Sequence, residues 1–375
     1  MRLAVCGPGH PFRGGIAATT TQLVLALRRR GHDVGFFTPR RQYPRWIYPG
    51  PDDRDPAACP RVDGAVPILD PFSPLSFPEA RAALERFEAD AWIVPYWTWI
   101  WAPLWRFLVA AHDRPPVAVI VHNPADHDAR LHQRLAAALV LARANGLFTH
   151  ARVLASALRA TFPAIPVSSF PLPPVHTLDL PGRATARLEL GLGGDERVTL
   201  FFGLIRPYKG VDVLLHAAAR LSPGTRWRFL VAGEPWGNQR THMDEPRRAL
   251  DLEDRVRLDF GWVEESRLAV YLAAADLLVL PYRTGSQSAV APLGLAHGLP
   301  VLSTSVGGLG ELIEDGVNGI LVPPGDPAAL AQALERLDAS HLERLAAGAK
   351  KTAASLSWDA YAAALETLLG RMTPR

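Results

Sequence analysis

Twice along this chain, short, mainly apolar runs alternate with stretches of helical period. In the first half the runs fall at residues 2–6 (RLAVC), 32–37, 91–94 and 117–121, with helices expected over 17–30 and 131–145. In the second half they fall at 198–202, 227–231, 256–260, 277–280, 300–303 and 320–322, with helices over 213–221 and 265–274. A strand with no polar alternation has no wet face. It belongs in a parallel sheet, covered on both sides by the crossover helices that parallel pairing requires. Prolines at Pro171, Pro173 and Pro174 break the rhythm between the halves. The pattern predicts the α/β fold class, as two doubly wound Rossmann-like domains over residues 1–170 and 171–355, facing across a cleft at the carboxyl ends of their strands.

Composition narrows the partners. At 375 residues and 48 % hydrophobic content the chain can build two or three cored domains, so disorder and fibrous structure are excluded. The net charge is only +3, which argues against a nucleic-acid partner. Cys6 and Cys59 are too few for a disulfide framework, and Met1 leads straight into an apolar run with no basic leader, so a cytoplasmic location is expected. Residues 1–170 hold 19 Arg against 13 Asp and Glu, a surplus of 6, while the remainder holds 21 basic against 24 acidic residues. That basic half suits ordinary solvation, an acidic acceptor or peripheral contact with an anionic membrane face. Fifteen uncharged residues at 91–105 include Trp92, Trp97, Trp99, Trp101 and Trp105, half of the ten tryptophans, in a run too short to span a bilayer. They read either as core packing or as an aromatic wall on the acceptor side, with Trp97 its candidate.

Four places can carry chemistry. Gly14 and Gly15, between the first strand and its helix, let the backbone approach a ligand at a helix start. Arg206 and Lys209, three apart at the end of the strand at 198–202, can converge on a diphosphate. Only three of the 40 basic residues are lysines, so Lys209 is held against a strong arginine bias. Ser286, Gln287 and Ser288 follow the strand at 277–280 and either cap the next helix or bind phosphate. His122, directly after the strand at 117–121, can shuttle a proton or donate a hydrogen bond, with His127 close behind it. Their spacing matches no zinc pattern, so no metal is expected.

These residues resemble the family-four retaining glycosyltransferases of the GT-B fold, which use nucleotide sugars. Gly-Leu-Ile-Arg-Pro-Tyr-Lys-Gly at 203–210, Val-Ala-Gly-Glu at 231–234, Ala-Ala-Asp-Leu-Leu-Val-Leu-Pro-Tyr at 274–282, Gly-Leu-Pro-Val at 298–301 and Gly-Gly-Leu-Gly-Glu-Leu-Ile at 307–313 occur in the family's order. The resemblance implies that Arg206 and Lys209 bind the donor diphosphate with Gly14, Gly15 and the 285–290 backbone. It places His122 at the transferred sugar and Glu311 in support of the donor. Residues 356–375 resemble the family's terminal helix crossing back onto the first domain. One departure is clear: the family's Glu-x7-Glu carboxylates fall on Gly285 and Leu293 here. The chain is similar in this to a subset carrying Gln-Ser and a small residue, as at 287–289.

The expected activity is sugar transfer with retention from a nucleoside-diphosphate sugar to the hydroxyl of a glycan or lipid-linked acceptor, in polysaccharide or glycolipid synthesis, with no cofactor. A silent partner subunit and a sugar-nucleotide epimerase are the alternatives. A nicotinamide oxidoreductase is disfavoured because neither half carries GxGxxG between strand and helix.

Overall fold

The computed structural model describes residues 1–42, 53–54, 60–110, 114–124, 131–175 and 178–373. Two compact units emerge: Met1–His176 with Ser357–Arg375, and Thr177–Leu356.

The first unit carries β1 (Arg2–Cys6), β2 (Asp33–Pro39), β3 (Ala65–Leu69), β4 (Ala91–Tyr96), β5 (Val117–Val121), β6 (Gly146–Thr149) and β7 (Val167–Ser169). They form one seven-stranded sheet in the order β3-β2-β1-β4-β5-β6-β7, with every pairing parallel. Strand β3 escapes the apolar pattern because Pro67 interrupts it and its first three residues are not buried, as suits an edge strand. Strand β7 is three residues long and lies at the other edge.

The second unit carries β8 (Arg197–Phe202), β9 (Trp227–Gly233), β10 (Val256–Phe260), β11 (Leu277–Leu280), β12 (Val301–Thr304) and β13 (Gly319–Val322). Its six-stranded parallel sheet runs β10-β9-β8-β11-β12-β13. Both sheets therefore reverse strand order beside their first strand, between β1 and β4 and between β8 and β11. The crevice outside the carboxyl ends there is where doubly wound sheets take ligands. Both are two-layer-covered α/β domains, as the apolar runs predicted.

The last helix, Trp358–Leu369, belongs to the first unit. Ser357 Oγ accepts the Ala360 N–H at 3.1 Å and caps the helix start. Tyr361, fully buried, packs edge-on against Phe148 with centroids 5.0 Å apart, and Trp358 Nε1 donates to the Pro174 carbonyl at 2.9 Å. Further along, Glu366 takes two hydrogen bonds from Arg30 at 2.6 and 2.7 Å and faces His32 at 2.8 Å.

Candidate functional site

In the second unit, the loops after β8 and β11 are pressed together. Gly210 adopts φ +67, and a Cβ there would lie 2.0 Å from the Pro281 carbonyl oxygen, so only glycine fits. The Arg283 N–H donates to the Tyr208 carbonyl at 2.7 Å, tying the same two loops. This closeness sets the surroundings of Lys209, which stands on the single helical turn Pro207–Lys209 and is 9 % exposed. Its ammonium lies 5.5 Å from the centre of the Tyr282 ring, and a Cβ built on Gly203 would come within 3.3 Å of Nζ. Burial, aided by the like charge of Arg206, lowers the Lys209 pKa from 10.5 to about 7.

Arg206 is held differently. Its guanidinium lies over the Trp236 ring at 4.2 Å, a cation–π contact that fixes the plane of the fork. Its Nε is buried without a hydrogen-bond partner, and Oε2 of Glu234, at the end of β9, is in the same condition. Neither Arg206 nor Lys209 has a carboxylate within ion-pair distance among the described residues. Arg283 shows what satisfaction looks like here, since Asp212 takes both of its terminal nitrogens at 2.9 and 2.6 Å. Two adjacent cations at a strand end, with no acid within ion-pair distance among the described residues, have the charge and donors to meet an anion.

The loop after β11 supplies the next wall. Ser288 Oγ accepts the Val290 N–H at 3.1 Å just ahead of the helix Val290–Ala296 and lies 3.5 Å from the Tyr282 hydroxyl, while the N-cap position is Ala289, which has no side-chain cap. The Ser286 carbonyl accepts the Gly308 N–H at 2.8 Å, and a Cβ at Gly307 would strike the Gly285 oxygen at 2.0 Å. Gln287 is partly buried in the same loop, and Glu311 lies on the short helix Leu309–Leu312 that this contact positions. Leu293 is core, 2 % exposed. Arg206, Lys209, Ser286, Gln287, Ser288 and Glu311 thus all gather at the carboxyl ends of β8, β11 and β12.

In the first unit, Gly14 has φ +106 with nothing within 4 Å of a Cβ, so the demand for glycine is conformational, and the helix Gly15–Arg29 begins without a side-chain cap. His122 follows β5 and is 2 % exposed. Its Nδ1 lies 3.2 Å from Nε2 of His150, and the His150 ring stacks on Tyr361 at 5.7 Å and 21°. Burial lowers the His122 pKa from 6.5 to about 3. A neutral imidazole can both donate and accept a hydrogen bond. Trp97 is 8 % exposed and packs at a tilt against Trp101 at 4.9 Å, which in turn stacks on Trp105 at 5.3 Å. Its indole is core, and of the five tryptophans only Trp99 is substantially exposed, at 41 %. His127 lies outside the described residues. Among the described residues no three His, Cys, Asp or Glu side chains gather as a metal would need.

Sequence reasoning missed His150 and Trp236. Each is set at a strand end next to a residue that was found, but the contacts run between elements distant in the chain, so no spacing announces them.

Residues 14–173 match the model of the glycosyl transferase 4-like domain, and residues 196–339 match that of glycosyl transferases group 1. Each model falls on one of the two units, so the first unit matches a glycosyl transferase 4-like domain and the second a glycosyl transferases group 1 domain. A D-inositol 3-phosphate glycosyltransferase of Streptomyces bingchenggensis is 40 % identical over 195 residues, covering 49 % of this chain and 42 % of the relative. One of Geodermatophilus obscurus is 36 % identical over 251 residues, 61 % of this chain and 55 % of the relative. The chain spans about half the length of the curated relatives it matches. Among solved structures, sucrose-phosphate synthase from Thermosynechococcus elongatus superposes with TM-score 0.79 at 21 % identity, covering 99 % of both chains. Anabaena HepE in complex with UDP gives 0.75 at 17 % identity, covering 99 % of this chain and 100 % of its own. At such identities the likeness establishes the fold.

Proposed function

We propose that the chain transfers a sugar from a nucleoside-diphosphate sugar to the hydroxyl of a glycan or lipid-linked acceptor, with retention, in polysaccharide or glycolipid synthesis at the inner membrane face. The observation that carries this reading is the pair Arg206 and Lys209, two cations without a carboxylate partner among the described residues. In the reaction the bond from the anomeric carbon to the diphosphate breaks, the bond to the acceptor oxygen forms, and the acceptor proton leaves. Arg206 and Lys209 receive the charge that builds on the departing diphosphate, and an ammonium already desolvated acts more strongly on it than one in water. Lys209 regains its full proton as the anion arrives, because a phosphate beside the amine favours the charged form.

His122 is assigned to the transferred sugar by the resemblance of its segment, and its neutral imidazole suits hydrogen bonding to a sugar hydroxyl. It is too weak a base to take the acceptor proton, with a pKa of about 3. The leaving phosphate can accept the acceptor's proton, with attack and departure on the same face of the sugar, and retention itself is carried over from the family resemblance. The relatives named D-inositol 3-phosphate glycosyltransferases make a phosphorylated polyol a further acceptor to try.

The test is a thermal-shift panel with UDP, GDP and ADP on the wild type and on Arg206→Ala/Lys209→Ala. Binding to the folded state raises the midpoint by mass action. One nucleotide is expected to raise it, with the rise lost in the double variant. No rise with any of the three, or a rise that survives the double substitution, would overturn the diphosphate assignment.

A further inference from the structure

The helix Leu131–Leu141 is apolar on its outer face as well as its inner one. Ala137, Val140 and Leu141 are buried, while Leu131, Leu135 and Leu139 are 73 %, 54 % and 59 % exposed. At about 100° per residue, these leucines share one arc with the exposed Ala138, opposite the buried side. Arg134 borders that arc on one side, and His132 and Arg143 on the other, all of them exposed. The neighbouring helix Ala102–Val109 and the turn before it repeat the pattern: Trp99 at 41 %, an exposed Pro103 and Phe107 at 37 % lie four residues apart. The two stripes adjoin, since the Trp99 ring meets the His132 ring edge-on at 5.4 Å.

Single exposed leucines are ordinary. Five large apolar side chains on one face, rimmed by cations, are not. Across 91–110, 114–124 and 131–175 the described residues include Arg106, Arg114, Arg134, Arg143, Arg152 and Arg159 and no Asp or Glu. The acids of that stretch, Asp113, Asp126 and Asp128, lie outside the described residues. A partner for this face must offer an apolar interior beneath an anionic surface. A second copy would bury the leucines but set the two arginine rims against each other. A lipid bilayer with anionic headgroups meets both demands: leucines enter the acyl boundary, Trp99 sits at headgroup level, and arginine stems reach outward to phosphate.

We infer that the faces of Leu131–Leu141 and of 99–107 form a docking surface that lies in the plane of an anionic membrane. The inference extends the reading of a membrane-held acceptor, but it is tested with neither nucleotide nor acceptor present. The whole chain is floated with phosphatidylcholine vesicles containing about 30 % phosphatidylglycerol, and with phosphatidylcholine alone, at low and at high salt. Binding is expected on the anionic vesicles at low salt, about tenfold weaker on neutral ones or at high salt. Leu135→Glu/Leu139→Glu is expected to lower it at least tenfold while keeping the circular dichroism spectrum and the nucleotide-induced thermal shift of the wild type. Arg134→Glu/Arg143→Glu is expected to remove the preference for anionic lipid. No flotation on anionic vesicles at low salt, or equal flotation by the leucine variant, overturns the inference. A dimer in light scattering that the leucine variant abolishes, without flotation, hands the face to a second copy. Flotation without any nucleotide shift leaves this surface standing and removes the donor assignment instead.

Discussion

Replacing Lys209 by Met is expected to make the protein more stable while removing its hold on the nucleotide diphosphate. The ammonium is buried at 9 % exposure with its pKa lowered from 10.5 to about 7, and Arg206 adds repulsion. The unfolded chain keeps this proton up to about pH 10 while the folded chain releases it near pH 7, so the unfolded state binds more protons between those values. Stability therefore rises with pH across that window. At about 1.4 kcal/mol per tenfold change in proton affinity, the buried lysine costs on the order of 5 kcal/mol at pH 6 and about 2 kcal/mol at pH 9. Methionine fills much the same volume and carries no charge. Urea denaturation of both proteins at pH 6 and pH 9 reads the difference: the variant is more stable at the lower pH, and the gap narrows at the higher. A variant no more stable than wild type at pH 6, or a gap independent of pH, would refute the account of a strained ammonium held for an anion.

Two other outcomes follow from the site. Trp236→Ala removes the ring beneath the Arg206 guanidinium, 4.2 Å away; it is expected to weaken nucleotide binding about tenfold by isothermal titration with little change in the melting midpoint, since a cation–π contact away from water is worth about 1 to 2 kcal/mol. With its pKa lowered to about 3, His122 stays neutral through the physiological range, so kcat/KM is expected to show no limb near pH 6.5 that disappears in His122→Gln; such a limb would mean that the imidazole works by gaining a proton.

Much of this architecture could be read before the coordinates. Strands β5 and β11 occupy the residues that their continuous apolar runs mark, because burial on both faces leaves no other pattern. The edge strands β3 and β7 could not be read, one broken by Pro67 and the other too short to show any period. Lys209 stood out against the arginine background, and its place at a strand end followed from the run before it. What burial does to that lysine was not legible, since it depends on Tyr282, Gly203 and Gly210 meeting across the β8 and β11 loops. The tryptophan cluster misled for a related reason. Composition placed five indoles in one segment, but which of them face the core is set by the helix Ala102–Val109 and its neighbours. The exposed leucines of Leu131–Leu141 were hidden inside an ordinary helical period, because a sequence pattern shows that a helix is apolar without showing which arc the core takes.

The terminal helix has a consequence for the order in which the molecule is made. Emerging from the ribosome, the first unit begins first yet finishes last, because Ser357–Arg375 is part of it. Until Tyr361 arrives, Phe148, His150 and Phe170 lack the ring they pack against, and Arg30 and His32 wait for Glu366. The whole second unit is translated in the interval. The first unit is thus completed by residues made after the second, and the His122–His150 pair gains its aromatic backing only once the second unit has been translated.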